Sequence, residues 1–461
     1  MKDSPSTAEA PVLRAVRDAV LSATALRQPR VADRRIAIAL SGGRDSMVLL
    51  DALHRIAPEC AVALCAVHVH HGLSTNADAW AQFCAAECAK RGILLDVQRV
   101  RIERKGGASL EATARTARYA ALATAAADFV ALAHHADDQA ETLLLQLMRG
   151  AGSHGLAAMP RQRASTKGPA LLRPLLALPR AALVAYANAR SLAWVDDESN
   201  ANTDVRRNFI RHEIAPRLAQ AFPGYPATLA RSAAHQAEGA KLADELAKLD
   251  AEGVVDADAA RGATLDRAAL IGLDARAPHR ARNLLRWFLR LHGLRPPSTA
   301  RLAQMHHQLV HAAADARVRL PHGGAEVGIH RGRVVVHPPA VAPFALRWQG
   351  EVLLALPHGT LEFALAEGTG EARAALGRVD VTIRSRAGGE RIRLGGDRPR
   401  QALKRVLHEA GMPTWLRDSL PLVFCGDALA VVPGVGVDVA FVAIANTAGY
   451  AVHWHPASRK T

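Results

Sequence analysis

Aromatic side chains are scarce in this chain: phenylalanine, tryptophan and tyrosine together make up 4% of it. A platform for stacking unpaired bases needs exposed rings, so that mode of nucleic-acid binding is disfavoured. Cysteine is scarce too. Cys60, Cys65, Cys84, Cys88 and Cys425 are the 5 cysteines of 461 residues, too few for a disulfide framework. Cys84 and Cys88 are spaced CxxxC in a helical pattern, wider than the CxxC of metal and redox pairs, and read as helix packing. No apolar run is long enough to span a bilayer. The N-terminus lacks the apolar stretch of a secretory signal, because Arg14, Arg17 and Asp18 interrupt it. No membrane partner is expected, and a reduced, cytoplasmic setting is.

What the chain does have is positive charge, a formal net +15 with 49% hydrophobic residues. That combination describes a globular protein with a preference for polyanions, nucleic acid first. The length argues for two or three domains. In the first half, short apolar segments alternate with helical ones. "IAIAL" precedes "DSMVLLDALHRI", "AVALCAVHV" precedes "NADAWAQFCAAECAKRG", "ILLDVQRVRI" precedes "SLEATARTARYAALATAA", and "DFVALAHH" precedes "DDQAETLLLQLMRG". The alternation predicts an α/β domain with a parallel sheet covered on both faces. From about Pro216 the pattern becomes mainly helical, with strand-like pieces in "ARVRLPHGGAEVGIHRGRVVVHPP". A proline-rich break, "HPPAVAPF" (337–344), precedes an α+β pattern. The expected domains are 1–216, 217–336 and 345–461.

"RRIAIALSGGRDSMVLLDAL" (34–53) reads as strand, glycine turn and amphipathic helix. Glycines let the backbone approach a ligand, and the N–H groups opening the helix face an anion. GxxxxGK[ST] and GxGxxG are both absent, so no lysine is placed to grip β- and γ-phosphates. The SGGxDS string resembles the signature of the PP-loop ATP pyrophosphatases. That resemblance implies an adenine nucleotide α-hydrolase-like fold that splits ATP between its α- and β-phosphates. Ser41, Gly42, Gly43, Arg44, Asp45 and Ser46 would bind ATP, with Asp45 as the metal-side carboxylate for Mg²⁺.

A second constellation, "HHADDQAETLLLQLMRGAGSHGL", follows the strand that ends at Ala133. Asp137, Asp138 and Glu141 share a helix face at three- and four-residue spacing. Three acids at one strand top suggest a cation site, for Mg²⁺ or for an ammonium group. In "HVHHGL", His68 and His70 share a face, but without a cysteine nearby they read as packing or ribose contacts rather than zinc ligands.

SGGxDS, "HVHHGL", "EATARTARY", "HHADDQAETLLLQLMRGAG" and "DDESNANTDVRRNFIR" occur in this order, and together they resemble the tRNA(Ile)-lysidine synthetase family. The C-terminal "GGERIRLGGDRPRQALKRVLHEAGMPTWLRDSLPLVFCGDALAVVPGVGVD" is similar to that family's last domain. His70 stands where the family usually has asparagine. The resemblance implies an enzyme that uses ATP to adenylate the wobble cytidine of isoleucine tRNA with a CAU anticodon. Free lysine then displaces AMP. The product, lysidine, pairs with A, so decoding changes from AUG to AUA and charging from methionine to isoleucine. It also implies roles for residues. Arg115 is the nucleotide-side arginine. Arg207 and Arg211, with Asn208, close over the adenylate, and Asp138 and Glu141 face the lysine. Asp45, Asp137, Asp138, Arg115 and Arg207 form the expected catalytic set. Asp137 is a base or a metal ligand.

The C-terminal stretch 384–405 carries eight basic residues against Glu390 and Asp397. Arg391, Arg393, Arg398, Arg400, Lys404 and Arg405 are the expected tRNA-backbone contacts, and Trp415 reads as a core anchor. The rival readings are a PP-loop tRNA thiolase, an amide-forming synthetase, and a non-catalytic tRNA- or adenine-nucleotide-binding protein. The thiolase wants a cysteine placed at the ATP site, and the synthetase an ammonia source. Oligomeric state is left open, a homodimer being one allowed arrangement.

Overall fold

The computed structural model describes residues 6–25, 34–102, 110–165, 168–198, 202–258, 262–313, 316, 318–339, 341–367, 371–372, 380–395, 399–443 and 447–456. Two compact units divide at Leu242 and Ala243.

The first unit is built on a six-stranded sheet. Its strands are β1 (Arg35–Ala39), β2 (Ala63–His70), β3 (Leu94–Arg99), β4 (Phe129–Ala131), β5 (Gln162–Arg163) and β6 (Ala170–Leu172), in the spatial order β3-β2-β1-β4-β6-β5. All neighbours are parallel except β5 with β6. β1 is central, so Ile36, Ala37 and Ile38 are covered on both faces. Its register sets Ile36 beside Leu64 on one side and Phe129 on the other. The chain builds β1, β2 and β3 in one direction and then returns to place β4 on the opposite side of β1. That reversal opens a crevice beyond the carboxyl ends of β1 and β4, where doubly wound sheets bind ligands.

The helices follow the expected alternation: α1 (Ala10–Ala25), α2 (Arg44–Cys60), α3 (Ala77–Ala89), α4 (Leu110–Leu122) and α5 (Ala136–Leu147). In α1, Val12, Leu13, Val16, Val20 and Ala23 form one buried stripe at helical spacing, while Arg14, Arg17 and Asp18 lie off it. A short α6 (Ser153–Leu156), α7 (Arg180–Ala189) and α8 (Arg206–Phe209) complete the frame. After α8 the chain runs through a π-helical turn at Ile210–Ile214. Buried Asp51 of α2 accepts from Tyr186 Oη of α7 at 2.8 Å and meets Arg91, just past α3, at 3.5 Å. These contacts tie three helices that cover the sheet.

The second unit has its own cores. An antiparallel sheet of β7 (Val255–Asp258), β8 (Gly262–Asp266), β9 (Arg319–His322), β10 (Ala325–His330) and β11 (Arg333–His337) has the order β7-β8-β11-β10-β9. Helices at 267–276, 278–291 and 299–311 bury Leu285, Phe288, Met305 and Leu309 beside Val327 and Val334. Sequence patterning anticipated the strands after 316 but not β7 and β8. Further on, two antiparallel sheets share a core of Leu361, Phe363, Ile383, Val423 and Val431. Trp415 is a packing residue, as expected: it stacks on His337 at 4.3 Å and meets the edge of His330 at 5.2 Å.

Candidate active site

The loop after β1 is shaped by one glycine. Gly42 has φ +84°, and a Cβ there would lie 2.9 Å from Val195 Cγ2 and 3.2 Å from Cys84 Sγ. Val195 donates its N–H to the Gly42 carbonyl at 3.0 Å, so the segment before Asp196 is seated on the turn. Gly43 is the N-cap of α2 and offers no side-chain oxygen, which leaves first-turn N–H groups facing outward. Ser46 is buried, donates its hydroxyl to Gly43 O at 2.8 Å and accepts from the Ser41 hydroxyl at 3.1 Å. It therefore closes the loop from within, while Ser41, Gly43 and Arg44 line its outer side. Replacing Gly42 with alanine is expected to cost about 2–5 kcal/mol, from left-handed strain plus overpacking. Thermal melting should fall, and ATP binding by calorimetry should weaken by about tenfold or more.

Across the crevice, α5 starts at His135. Asp138 Oδ2 accepts from the His135 N–H at 3.1 Å, which fixes the first turn. The His135 ring is 3% exposed and lies among three carboxylates. Nε2 is 3.5 Å from Asp45 Oδ2 and 3.5 Å from Asp138 Oδ2, and Nδ1 is 3.5 Å from Asp137 Oδ2. These contacts are long for hydrogen bonds, so their attraction is chiefly Coulombic. Burial alone would push this imidazole down, but Asp137, Asp45 and Asp138 outweigh it and raise it to about 9. Burial likewise opposes ionisation of Asp45, yet His135 and Arg44 hold it below its usual range. Asp137 Oδ2 also accepts from the Arg180 N–H at 2.8 Å, and this carboxyl too is lowered despite burial. The neighbouring His134 goes the other way, down to about 3, through burial and the nearby arginines.

The acids expected to face lysine are not alone. Arg207 Nε donates to Glu141 Oε2 at 2.7 Å and its Nη2 to Asp138 Oδ1 at 3.0 Å. Arg211 Nε donates to Glu141 Oε1 at 2.6 Å, and its Nη2 reaches Asp138 Oδ1 at 3.0 Å. Two acids and two guanidiniums thus form one partly buried quartet. Against the opposing cost of burial, His135, Arg207 and Arg211 bring Asp138 down to about 2. Asn208, between the arginines, donates to the Asn202 carbonyl at 2.9 Å. Arg211 is set by the π-helical turn, a backbone form common at functional sites. The resemblance implies that the arginines close over the adenylate and the acids face the lysine; the fold joins all four.

Arg115 lies elsewhere, with its Cζ 5.1 Å from the centroid of the Tyr119 ring. His68 is a packing residue, bonding Leu40 O through Nδ1 at 2.9 Å. His70 meets Asp78 at 3.2 Å and borders an open depression of about 480 Å³ with His71, Gly72 and Arg99. Cys84 and Cys88 are buried, and burial pushes their thiols up to about 12 and about 11. Neither has the thiolate character that a catalytic cysteine needs.

Three family models match the chain: a PP-loop domain over residues 17–218, a TilS substrate binding domain over 269–335, and a TilS substrate C-terminal domain over 381–454. The tRNA(Ile)-lysidine synthases of Nitrosomonas europaea and of Azoarcus sp. are each 42% identical over 429 residues, 92% of this chain and of theirs. That of Ralstonia nicotianae is 42% identical over 445 residues, 92% of this chain and 93% of its own.

The chain belongs to the tRNA(Ile)-lysidine synthase family.

As a lysidine synthase with a PP-loop domain, it is an enzyme whose co-substrate is ATP. No helix among its described residues is long and apolar enough to cross a membrane. In the basic C-terminal stretch of this synthase Arg391, Arg400, Lys404 and Arg405 are exposed, and Arg391 bonds the Arg400 carbonyl. Arg400 meets buried Asp438 at 3.4 Å, and Arg405 pairs with Glu409 at 2.7 Å. Arg393 is half-buried, with its backbone N–H on Asp438. Arg398 lies outside the described residues. Not read from the sequence are the seating of Val195 on the Gly42 turn and the buried Arg173, which bonds His134 Nδ1 at 3.3 Å and Pro160 O at 2.8 Å. "RPLLALPR", an arginine directly after an apolar strand, was the available signal for the latter.

Proposed function

We propose that the chain joins free L-lysine to C2 of the wobble cytidine of isoleucine tRNA with a CAU anticodon, in two steps. First the C2 oxygen attacks the α-phosphorus of ATP and pyrophosphate leaves. Then the neutral ε-amine attacks C2, the C2–O bond breaks, and AMP leaves as the amine loses its proton. Lysidine pairs with A, which moves decoding from AUG to AUA and charging from methionine to isoleucine. The PP-loop part carries out this chemistry, and 217–336 and 345–461 recognise the tRNA. Exposed Arg391 and Lys404 support the second assignment. Action on tRNA and free thiols support a cytoplasmic setting.

The observation that carries this reading is the quartet beside the glycine loop. Free lysine bears an α-ammonium and an α-carboxylate. Asp138 and Glu141 suit the former, and Arg207 and Arg211 the latter. Docking that zwitterionic head on the quartet leaves the ε-amine to extend toward the crevice. Asp45, with a side chain 33% exposed at the strand top, fits Mg²⁺, which binds through one or two carboxylates plus substrate phosphates. When bound, that ion supplies the charge that the missing loop lysine supplies elsewhere. Asp137 is better suited to holding His135 and the start of α7 than to taking a proton, because a carboxyl held below its usual range is a weak base.

Radiolabelled lysine should enter a transcribed isoleucine tRNA with a CAU anticodon only when ATP is present. Cadaverine, which lacks the α-carboxylate, should be used at least about 100-fold less efficiently, the scale on which a site built for a charged group rejects its absence. No incorporation sinks the reaction. Equal use of cadaverine sinks the role given to the quartet.

A further inference from the structure

Outside the quartet, a second group of arginines gathers over one aromatic ring. Tyr119 of α4 has the Cζ atoms of Arg115, Arg163 and Arg118 at 5.1, 5.7 and 5.8 Å from its ring centroid. Arg115 also donates to the Tyr119 hydroxyl at 3.3 Å. Arg173, 4% exposed, approaches from the end of β6. Among the described residues, none of these four guanidiniums is in ion-pair contact with a carboxylate. Arg118 Nε is buried without a hydrogen-bond partner among the described residues. Arg173 donates to His134 Nδ1 and to the Pro160 carbonyl, but neither neutralises its charge; guanidiniums this close repel one another, and burying them is costly. Burial, with Arg163 and Arg115 beside it, holds Arg173 below its ordinary range, and Arg115, Arg173 and Arg118 draw the Tyr119 phenol down against its own burial. A bound anion would relieve all of these, and guanidinium is the group that takes phosphate bidentately.

Position decides which phosphate. ATP's phosphates belong at the loop after β1, whereas β6 lies two strands away and β5, which bears Arg163, is the outermost strand. At the usual strand spacing that is roughly 10 and 15 Å from β1. A triphosphate seated on the loop does not extend to the sheet edge; a polynucleotide, with a phosphate at every residue, does. We propose that Arg163 and Arg173, with Tyr119, join Arg115 and Arg118 in a phosphate site that grips the tRNA backbone beside the wobble nucleotide, in place of the nucleotide-side role that the resemblance implies for Arg115. The inference rests on the reading that this nucleotide is presented at the crevice between β1 and β4.

Arg163→Ala tests it, because Arg163 is exposed and its loss leaves the core intact. The full chain would be titrated with unmodified isoleucine tRNA transcript at several salt concentrations, without ATP or lysine. The expected result is about a tenfold loss of affinity and a salt slope shallower by about 0.7–0.9, one phosphate contact. The KM for ATP and the KM for lysine should stay within about twofold and the melting curve should be unchanged. Unchanged tRNA affinity and slope overturn the site. A raised ATP KM with unchanged tRNA affinity also overturns it and gives the cluster to the nucleotide. Failure of the reaction itself would show in the lysine-incorporation assay of the unmutated chain.

Discussion

Asp45→Asn is expected to slow AMP transfer to tRNA by about 10²–10³-fold, the effect of losing one electrostatic stabiliser of a phosphoryl transition state. The substitution is isosteric, and the carboxylate is in the first turn of α2 with its side chain 33% exposed, so the fold should tolerate it. What it removes is charge. Asp45 is held ionised by His135 and Arg44 despite burial, and asparagine would offer a cation at the phosphates only a neutral carbonyl oxygen. His135 would keep Asp137 and Asp138 as neighbours, so the start of α5 should stay in place. Release of pyrophosphate, followed with labelled ATP and transcript in the absence of lysine, is the measurement. Retention of pyrophosphate release within about threefold of the parent, well inside the effect expected, would show that Asp45 has no part in the step. Binding of tRNA alone should not change.

The second large effect is expected at Glu141→Gln. The Glu141 side chain is 5% exposed and accepts from both Arg207 and Arg211. Breaking a buried pair by removing one charge costs about 3–5 kcal/mol, and the lower end applies because Asp138 still meets both arginines. The glutamine amide would also point a donor at guanidiniums that have only donors. Two outcomes follow. The unit should melt earlier, and the KM for lysine should rise by about 100-fold, equivalent to about 3 kcal/mol. Pyrophosphate release should suffer much less, because the glycine loop and Asp45 are untouched. Equal losses in the two steps would refute the assignment of the quartet to lysine. Asp45→Asn and Glu141→Gln therefore separate the two halves of the reaction from opposite sides of one crevice.

Much of this was legible in the residues. "IAIAL", "SGGRDS" and the amphipathic run after them are local signals: a strand buried on both faces, a turn that needs glycine, and a helix whose first donors stay open. The acids after β4 are local too, since helical spacing puts Asp137, Asp138 and Glu141 on one turn. β5 and β6 were not legible. "QR" and "ALL" are too short for periodicity, and only pairing with each other and with β4 makes them strands.

By itself, then, the sequence determined a parallel α/β frame, a pyrophosphate-type loop and the family. Each rests on residues that are neighbours along the chain and are read by backbone geometry at short range. Only the tertiary structure decided who faces whom. Arg207 and Arg211 stand 66 to 73 residues from the acids they neutralise, and no spacing rule links such groups. Arg163 and Arg173 meet Arg115 and Arg118 only because the sheet order carries β6 and β5 past β4. The same reversal of strand order brings the glycine loop opposite His135, where one imidazole is held among three carboxylates. Charge placed by chain topology, rather than by local pattern, is what turns a recognisable loop into a site with a direction of chemistry.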